Sequence, residues 1–329
     1  ESNEKYAWRY ARIVIIMEEQ FDFYPKKPTL PKKENKSGWS MTLLSLVLFV
    51  ASFMILFSDR IQFLVFLIVV LFIHEMGHFL FMKLFNYRNV KMMFVPLMGA
   101  FVQGVKKIYS QKESFFVILG GPVPGILLGI IGSIFAIHYE MEWLLELSGI
   151  FMILNMINLL PLDPLDGGQL FRLLVKYDHD LFLMIFSLVS SLVLISAGFF
   201  ADSWPLMLFG FLMSFRVRSI QKKYIIRKEF TRGNINYRVP YEDLSNKEYS
   251  MIRNIVLDYN PALKKYNELS GSSNDLLVAE NVNSVLETPL IMDSSILFKI
   301  GVVLTWIVCL CSPVFLFVFF GESLKWYFN

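Results

Sequence analysis

One turn of an otherwise apolar stretch holds two histidines and a glutamate: between Ile61 and Lys83 the chain reads His74-Glu75-Met76-Gly77-His78. Side chains four apart share a helix face, so His74 and His78 can aim imidazole nitrogens at one ion while Glu75 reaches a water held by that ion. The chemistry this suits is zinc-assisted hydrolysis, with an open position for water and a carboxylate to take its proton. As plain packing residues they would be costly, because a charged side chain at bilayer depth costs about 2.5–3.5 kcal/mol. Zinc binding, on the order of 10 kcal/mol in structural sites, offsets several such penalties.

Two imidazoles leave a hydrolytic zinc one protein ligand short. The segment Asn158-Leu-Leu-Pro161-Leu-Asp163-Pro164-Leu165-Asp166-Gly167-Gly168 offers two carboxylates. Its prolines and glycines break the helix at membrane depth, where irregular backbone is tolerated only if protein covers it or it lines a cavity. Asp163 and Asp166 both remain candidates from the residues alone. The glycine pair after Asp166 favours it, since backbone can approach closely there.

An embedded H-E-x-x-H followed by N-x-x-P-x-x-P-L-D-G-G resembles the site-2 protease family of intramembrane metalloproteases, and Asn158, Pro161, Pro164, Leu165, Asp166, Gly167 and Gly168 fill every fixed position of the second motif. The resemblance covers mainly residues 60 to 176. It implies that His74, His78 and Asp166 bind zinc, that Glu75 is the general base, and that Asn158 holds substrate near the metal. Short apolar alternations from Val90 to Gly104, around a Gly99-Ala100 turn, suit a hairpin dipping into the membrane. Similar enzymes have such a re-entrant β-hairpin beside the zinc, and its edge would pair with an unwound substrate strand, making Gly99 and Ala100 candidate substrate-binding residues. The Gly120-Gly121-Pro122-Val123-Pro124-Gly125 segment resembles the family's G-P-x-x-N element, but Gly125 stands where the family has Asn. Helix packing through small residues accounts for these glycines equally well. Asn155, one turn before Asn158, is within reach of the site, though a helix–helix hydrogen bond explains it as readily.

The elements that must position these groups are membrane helices. Of the 329 residues, 55% are hydrophobic and only 18% charged, leaving a soluble domain more apolar surface than it can bury. Runs at about 41–57, 61–83, 114–138, 143–160, 180–200, 203–215 and 296–320 approach the roughly 20 apolar residues that a crossing needs. The expected fold is therefore an all-α polytopic membrane protein of about seven transmembrane helices, with the re-entrant hairpin and a small cytoplasmic segment. Alternate loops collect Lys and Arg on one side, from Lys26 and Lys27 through Lys106 and Lys107 to Arg216–Arg232. That bias places the N-terminus in the cytoplasm and the active site toward the cytoplasmic leaflet of what is expected to be a bacterial cytoplasmic membrane.

The expected division is 1–40 as interfacial helix and basic linker, 41–215 as metalloprotease core, 216–295 as a basic and helical cytoplasmic segment whose soluble stretch 233–295 is small for an independent domain, and 296–329 as a final membrane helix and tail. No cleavable signal peptide is visible. Cys309 and Cys311 lie within the last apolar run as packing residues, and His138 reads as a surface histidine. The net charge of +3 follows the membrane face, which fits headgroup contact and excludes nucleic acid as the expected partner.

The function so implied is an intramembrane zinc metalloendopeptidase acting on a membrane protein or peptide substrate in the lipid bilayer, with an unidentified regulatory partner as a further expectation. The alternatives are a peptidase trimming leader or signal peptides for an export system, and a non-catalytic zinc-binding membrane scaffold.

Overall fold

The computed structural model describes residues 24–31, 39–56, 60–95, 99–174, 179–270 and 275–328. The chain forms two compact units, one of residues 34–221 with 290–329 and one of residues 1–33 with 222–289.

The larger unit contains α1 (Trp39–Leu56), α2 (Ile61–Leu84), β1 (Arg88–Val95), β2 (Gly99–Val105), β3 (Tyr109–Ser110), α3 (Gln111–Leu119), α4 (Pro122–His138), α5 (Glu142–Asn158), α6 (Asp166–Leu174), α7 (His179–Phe200), the first part of α8 (Trp204–Arg232), β4 (Leu290–Ile291) and α12 (Ile296–Phe328). Among the described residues four stretches are long and apolar enough to cross a membrane: Ile61–Leu84, Gln111–His138, Asp180–Phe200 and Ile296–Pro313. The other apolar runs expected as crossings fall in α1, α5 and α8. Helix α1 runs for 18 residues without a charged side chain. The 17-residue α5 carries Glu142 and Glu146, and α8 turns basic at Arg216 and Arg218. On α4, Leu127, Leu128, Ile131, Ile134 and Phe135 are exposed, an apolar face suited to a lipid phase.

The α3–α4 stretch is interrupted after Leu119, and Pro122 restarts the helix at a first-turn position where its missing N–H costs nothing. The strands β1 and β2 pair antiparallel, with Met92 opposite Val102, Phe94 opposite Ala100 and Val95 opposite Gly99. Residues 96–98, between the two strands, lie outside the described residues. Gly99 and Ala100 therefore open β2 rather than making the turn, and Gly99 enters the strand at φ +112°, a conformation that needs no Cβ. Helix α1 seals the outer edge of β1: Thr42 Oγ1 donates to the Met92 carbonyl at 2.8 Å, and the Phe94 amide donates to Ser45 Oγ at 3.2 Å.

Helix α12 is part of the same core. Val302 packs with Phe115, Ile118, Leu170 and Leu173. Trp306 stands edge-on to Phe171 and donates its indole N–H to the Leu159 carbonyl at 2.7 Å, satisfying a group at the end of α5. Gln111, fully buried, donates to the Leu173 carbonyl at 2.6 Å and accepts from Ser294.

The second unit has a core of its own, centred on Phe230, Tyr249, Ile252, Val256, Val278 and Val282. Its helices are α9 (Asn246–Asp258), α10 (Pro261–Ser270) and α11 (Leu276–Val285). Ser245 and Glu248 form a capping box on α9, and the helix breaks before Pro261, so α9 and α10 are separate helices preceded by a single 3₁₀ turn at Tyr241–Asp243. Within the Pro/Lys stretch, Lys27 Nζ donates to the carbonyls of Tyr241, Glu242 and Leu244 at 2.8, 2.7 and 2.5 Å, and Tyr241 Oη donates to the Pro28 carbonyl. This part of the linker is thus fixed by its own charge. The interfacial helix expected before it lies outside the described residues.

Candidate metal centre

Helix α2 buries Leu64, Val70 and Leu71 on the same side as His74, Glu75 and His78, so the packing that anchors the helix also carries its polar turn inward. The third group arrives from α6, whose first residue is Asp166. His74 Nε2 lies 3.1 Å from His78 Nε2 and 3.1 Å from Asp166 Oδ2, and His78 Nε2 lies 3.3 Å from that same oxygen. All three residues are buried. Asp163, the rival carboxylate, points elsewhere. Its Oδ2 accepts from Ser187 Oγ at 2.5 Å and meets Arg216 Nε at 3.2 Å, while its backbone N–H donates to Ser190 Oγ at 3.0 Å. Asp163 thus clasps the loop to α7 and α8.

Hydrogen bonding on the far side of each imidazole fixes which nitrogen faces the cluster. His78 Nδ1 lies 2.7 Å from the Val117 carbonyl, and His74 Nδ1 lies 2.7 Å from Asn155 Oδ1. Neither oxygen carries a proton, so both Nδ1 atoms donate and Nε2 is the nitrogen each ring turns inward as a ligand atom. Asp166 Oδ2 has no hydrogen-bond donor. Three electron-rich atoms facing each other in a buried site repel unless a cation lies among them. Their spacing suits one: ligands about 2.0–2.1 Å from a tetrahedral ion stand about 3.3–3.4 Å apart. The residues fit a small divalent metal, and the donor set of two imidazoles and a carboxylate is one that hydrolytic zinc takes.

Two glycines make this approach possible. A Cβ on Gly121 would sit 2.3 Å from His78 Nε2, and one on Gly167 would sit 2.1 Å from the Leu159 carbonyl, so larger residues would push α4 off α2 and α6 off the end of α5. Glu75 is buried, its Oε2 has no partner, and the Val102 amide of β2 hydrogen-bonds its carboxylate. This agrees with the strand geometry. Met92 and Phe94 turn main-chain groups out toward α1, so their partners Val102 and Ala100 turn theirs out on the opposite edge of the hairpin, and Val102 meets Glu75 there. Asn158, the last residue of α5, is half-buried, as are Gly99 and Ala100. His138 is exposed at the end of α4, Cys309 is buried and Cys311 exposed.

Fold and site together define a helical membrane core enclosing a buried His-His-Asp group able to hold a metal. Residues 62–147 match Peptidase family M50. The chain is 31% identical over 126 residues to Stage IV sporulation protein FB of Bacillus subtilis (strain 168), a match covering 36% of this chain and 42% of that protein. It therefore spans about two fifths of the length of the curated relative. Among solved structures, the Site-2 Protease from Methanocaldococcus jannaschii is similar at 20% identity and a TM-score of 0.42, over 55% of this chain and 87% of that one. The family match and the curated relative support the site-2 protease family, whose members are intramembrane metalloproteases.

Proposed function

We propose that the chain is an intramembrane zinc metalloendopeptidase that hydrolyses peptide bonds of membrane-spanning or membrane-anchored substrates. The carrying observation is the convergence of His74 Nε2, His78 Nε2 and Asp166 Oδ2, next to a helix turn whose Glu75 keeps an unpartnered oxygen in the same buried region. Zinc bound by His74, His78 and Asp166 supplies Lewis acidity toward a carbonyl oxygen and toward water.

The chain's own residues do the rest. Glu75 Oε2, with no internal hydrogen bond to break, takes a proton from the attacking water and passes it to the leaving amine. Because a helical substrate hides its peptide bonds in its own hydrogen bonding, it must unwind before attack. The outward edge of β2 offers an unwound strand main-chain partners at Ala100, with Gly99 as the flexible entry, and the Val102–Glu75 bond sets that edge beside the base. Asn158, half-buried just before the Asp166 loop, is assigned to holding the substrate strand. The Lys and Arg bias supports about seven crossings, a cytoplasmic N-terminus and a site toward the cytoplasmic leaflet.

The test uses the purified full chain in proteoliposomes with a transmembrane peptide carrying a fluorophore and quencher. Glu75→Gln is expected to retain zinc while cleavage falls by about 10²–10⁴-fold. Cleavage by Glu75→Gln at the parent rate would overturn the assignment in favour of a zinc-binding scaffold contaminated by another protease. Membrane proteomics of cells carrying this variant, read for an uncleaved precursor, identifies the substrate and separates transmembrane proteolysis from leader-peptide trimming.

A further inference from the structure

We infer that Asn155 is the positioning residue that orients His74 toward the metal, and that Gly125 lacks a side chain so that the Asn155 amide can lie there. The inference rests on the metal reading above. Asn155 is fully buried inside α5. Its Nδ2 donates to the Phe151 carbonyl at 2.7 Å, which leaves Oδ1 as the atom facing His74 Nδ1 at 2.7 Å. Rotating the amide by half a turn would set Oδ1 against the Phe151 carbonyl and a donor against the imidazole, so one orientation is enforced. An Asn in a helix interior competes with the backbone and is not chosen for packing; a Leu or Met would fill the volume better.

Gly125 of α4 supplies the second, independent observation. A Cβ at that position would lie 2.2 Å from Asn155 Nδ2, 2.5 Å from its Cγ and 2.7 Å from its Oδ1, so the whole amide occupies the place of a side chain. The two residues form a fitted pair on facing helices. Asn155 spends its bonds on its own helix and on the ligand-bearing helix, which is the pattern of a ligand support. His78 has the backbone carbonyl of Val117 in that role, which no side-chain substitution removes. Orientation of His74 is therefore the part of the centre that depends on a side chain.

The experiment measures zinc affinity by chelator competition, and the visible spectrum of the cobalt-substituted protein, on the full chain in detergent. Asn155→Ala is expected to weaken zinc by about 10–100-fold and to alter the cobalt spectrum. Asn155→Asp, which keeps an acceptor for Nδ1 but sets its second oxygen against the Phe151 carbonyl, is expected to bind zinc more tightly than Asn155→Ala and more weakly than the parent. Gly125→Ala, which expels the amide without touching Asn155, should weaken zinc in the same direction. Asn155→Ala that is monodisperse and holds zinc with parent affinity would overturn the inference, as would Asn155→Asp as weak as Asn155→Ala. A parent chain that binds no zinc would instead overturn the metal reading, so the two failures are distinguishable.

Discussion

Replacing Asp163 by Asn separates the two carboxylates of the Asp-Pro-Leu-Asp loop, which stand three residues apart but do different things. Asp163 Oδ2 accepts from Ser187 at 2.5 Å and from Arg216 at 3.2 Å; the carboxylate is only 6% exposed, whereas Arg216 is 43% exposed. Asn keeps an acceptor for Ser187 and the backbone bond to Ser190, so the loss is the difference between a charge-assisted and a neutral hydrogen bond, about 1–2 kcal/mol. Arg216, already half in contact with its surroundings, adds little to that cost. If all of it appears as looser placement of Asp166, zinc affinity falls by about 5–30-fold. Asp166→Asn, by contrast, removes an anionic ligand and should leave no zinc after mild chelation. The assay is zinc stoichiometry and chelator competition on both variants, with thermal unfolding as the control for folding. An Asp163→Asn protein that is folded but empty, beside an Asp166→Asn protein that keeps its zinc, would refute the reasoning.

Other consequences can be checked in the same way. Gly121→Ala places a methyl group 2.3 Å from His78 Nε2, so zinc affinity should drop by at least 10-fold in a protein that remains helical by circular dichroism. Thr42→Val with Ser45→Ala removes the hydroxyls that seal β1, and hydrogen exchange at Met92–Phe94 should quicken, consistent with loss of about 1 kcal/mol per bond. Lys27→Met deletes three bonds to the Tyr241–Leu244 turn and should lower the stability of the second unit by about 1–3 kcal/mol, read as faster protease cleavage near Pro28.

Much of the site was legible because its spacing is local. His74 and His78 are one helical turn apart, and the structure sets their Nε2 atoms 3.1 Å apart. The Gly167-Gly168 pair signalled close backbone approach, and Gly167 indeed lies against the Leu159 carbonyl. What was not legible depends on contacts between distant segments. The glycine pair only inclined the choice toward Asp166, and the hydroxyls of Ser187 and Ser190 on α7, with Arg216 on α8, show that Asp163 faces away. Arg216 read as one more basic residue in a topology signal. Asn155 carried a visible cue, a polar residue in an apolar helix three before Asn158, but its partner lies on α2 and the space it fills is vacated by Gly125 on α4. Four of the expected crossings stand out among the described residues, while the apolar runs of α5 and α8 carry charge near their ends, at Glu142, Glu146 and Arg216. The second unit looked too small to stand alone, since its core draws on Ile226 and Phe230 from the end of α8, which the sequence joins to a membrane run.

X-ray absorption at the zinc edge of the full chain, purified under zinc-replete conditions, examines the ligand set itself. Two imidazole nitrogens and carboxylate or water oxygens at about 2.0–2.1 Å are predicted, with one imidazole fewer in His78→Ala. A protein that takes up no zinc, or a ligand shell unchanged when His74, His78 and Asp166 are all replaced, would contradict the account.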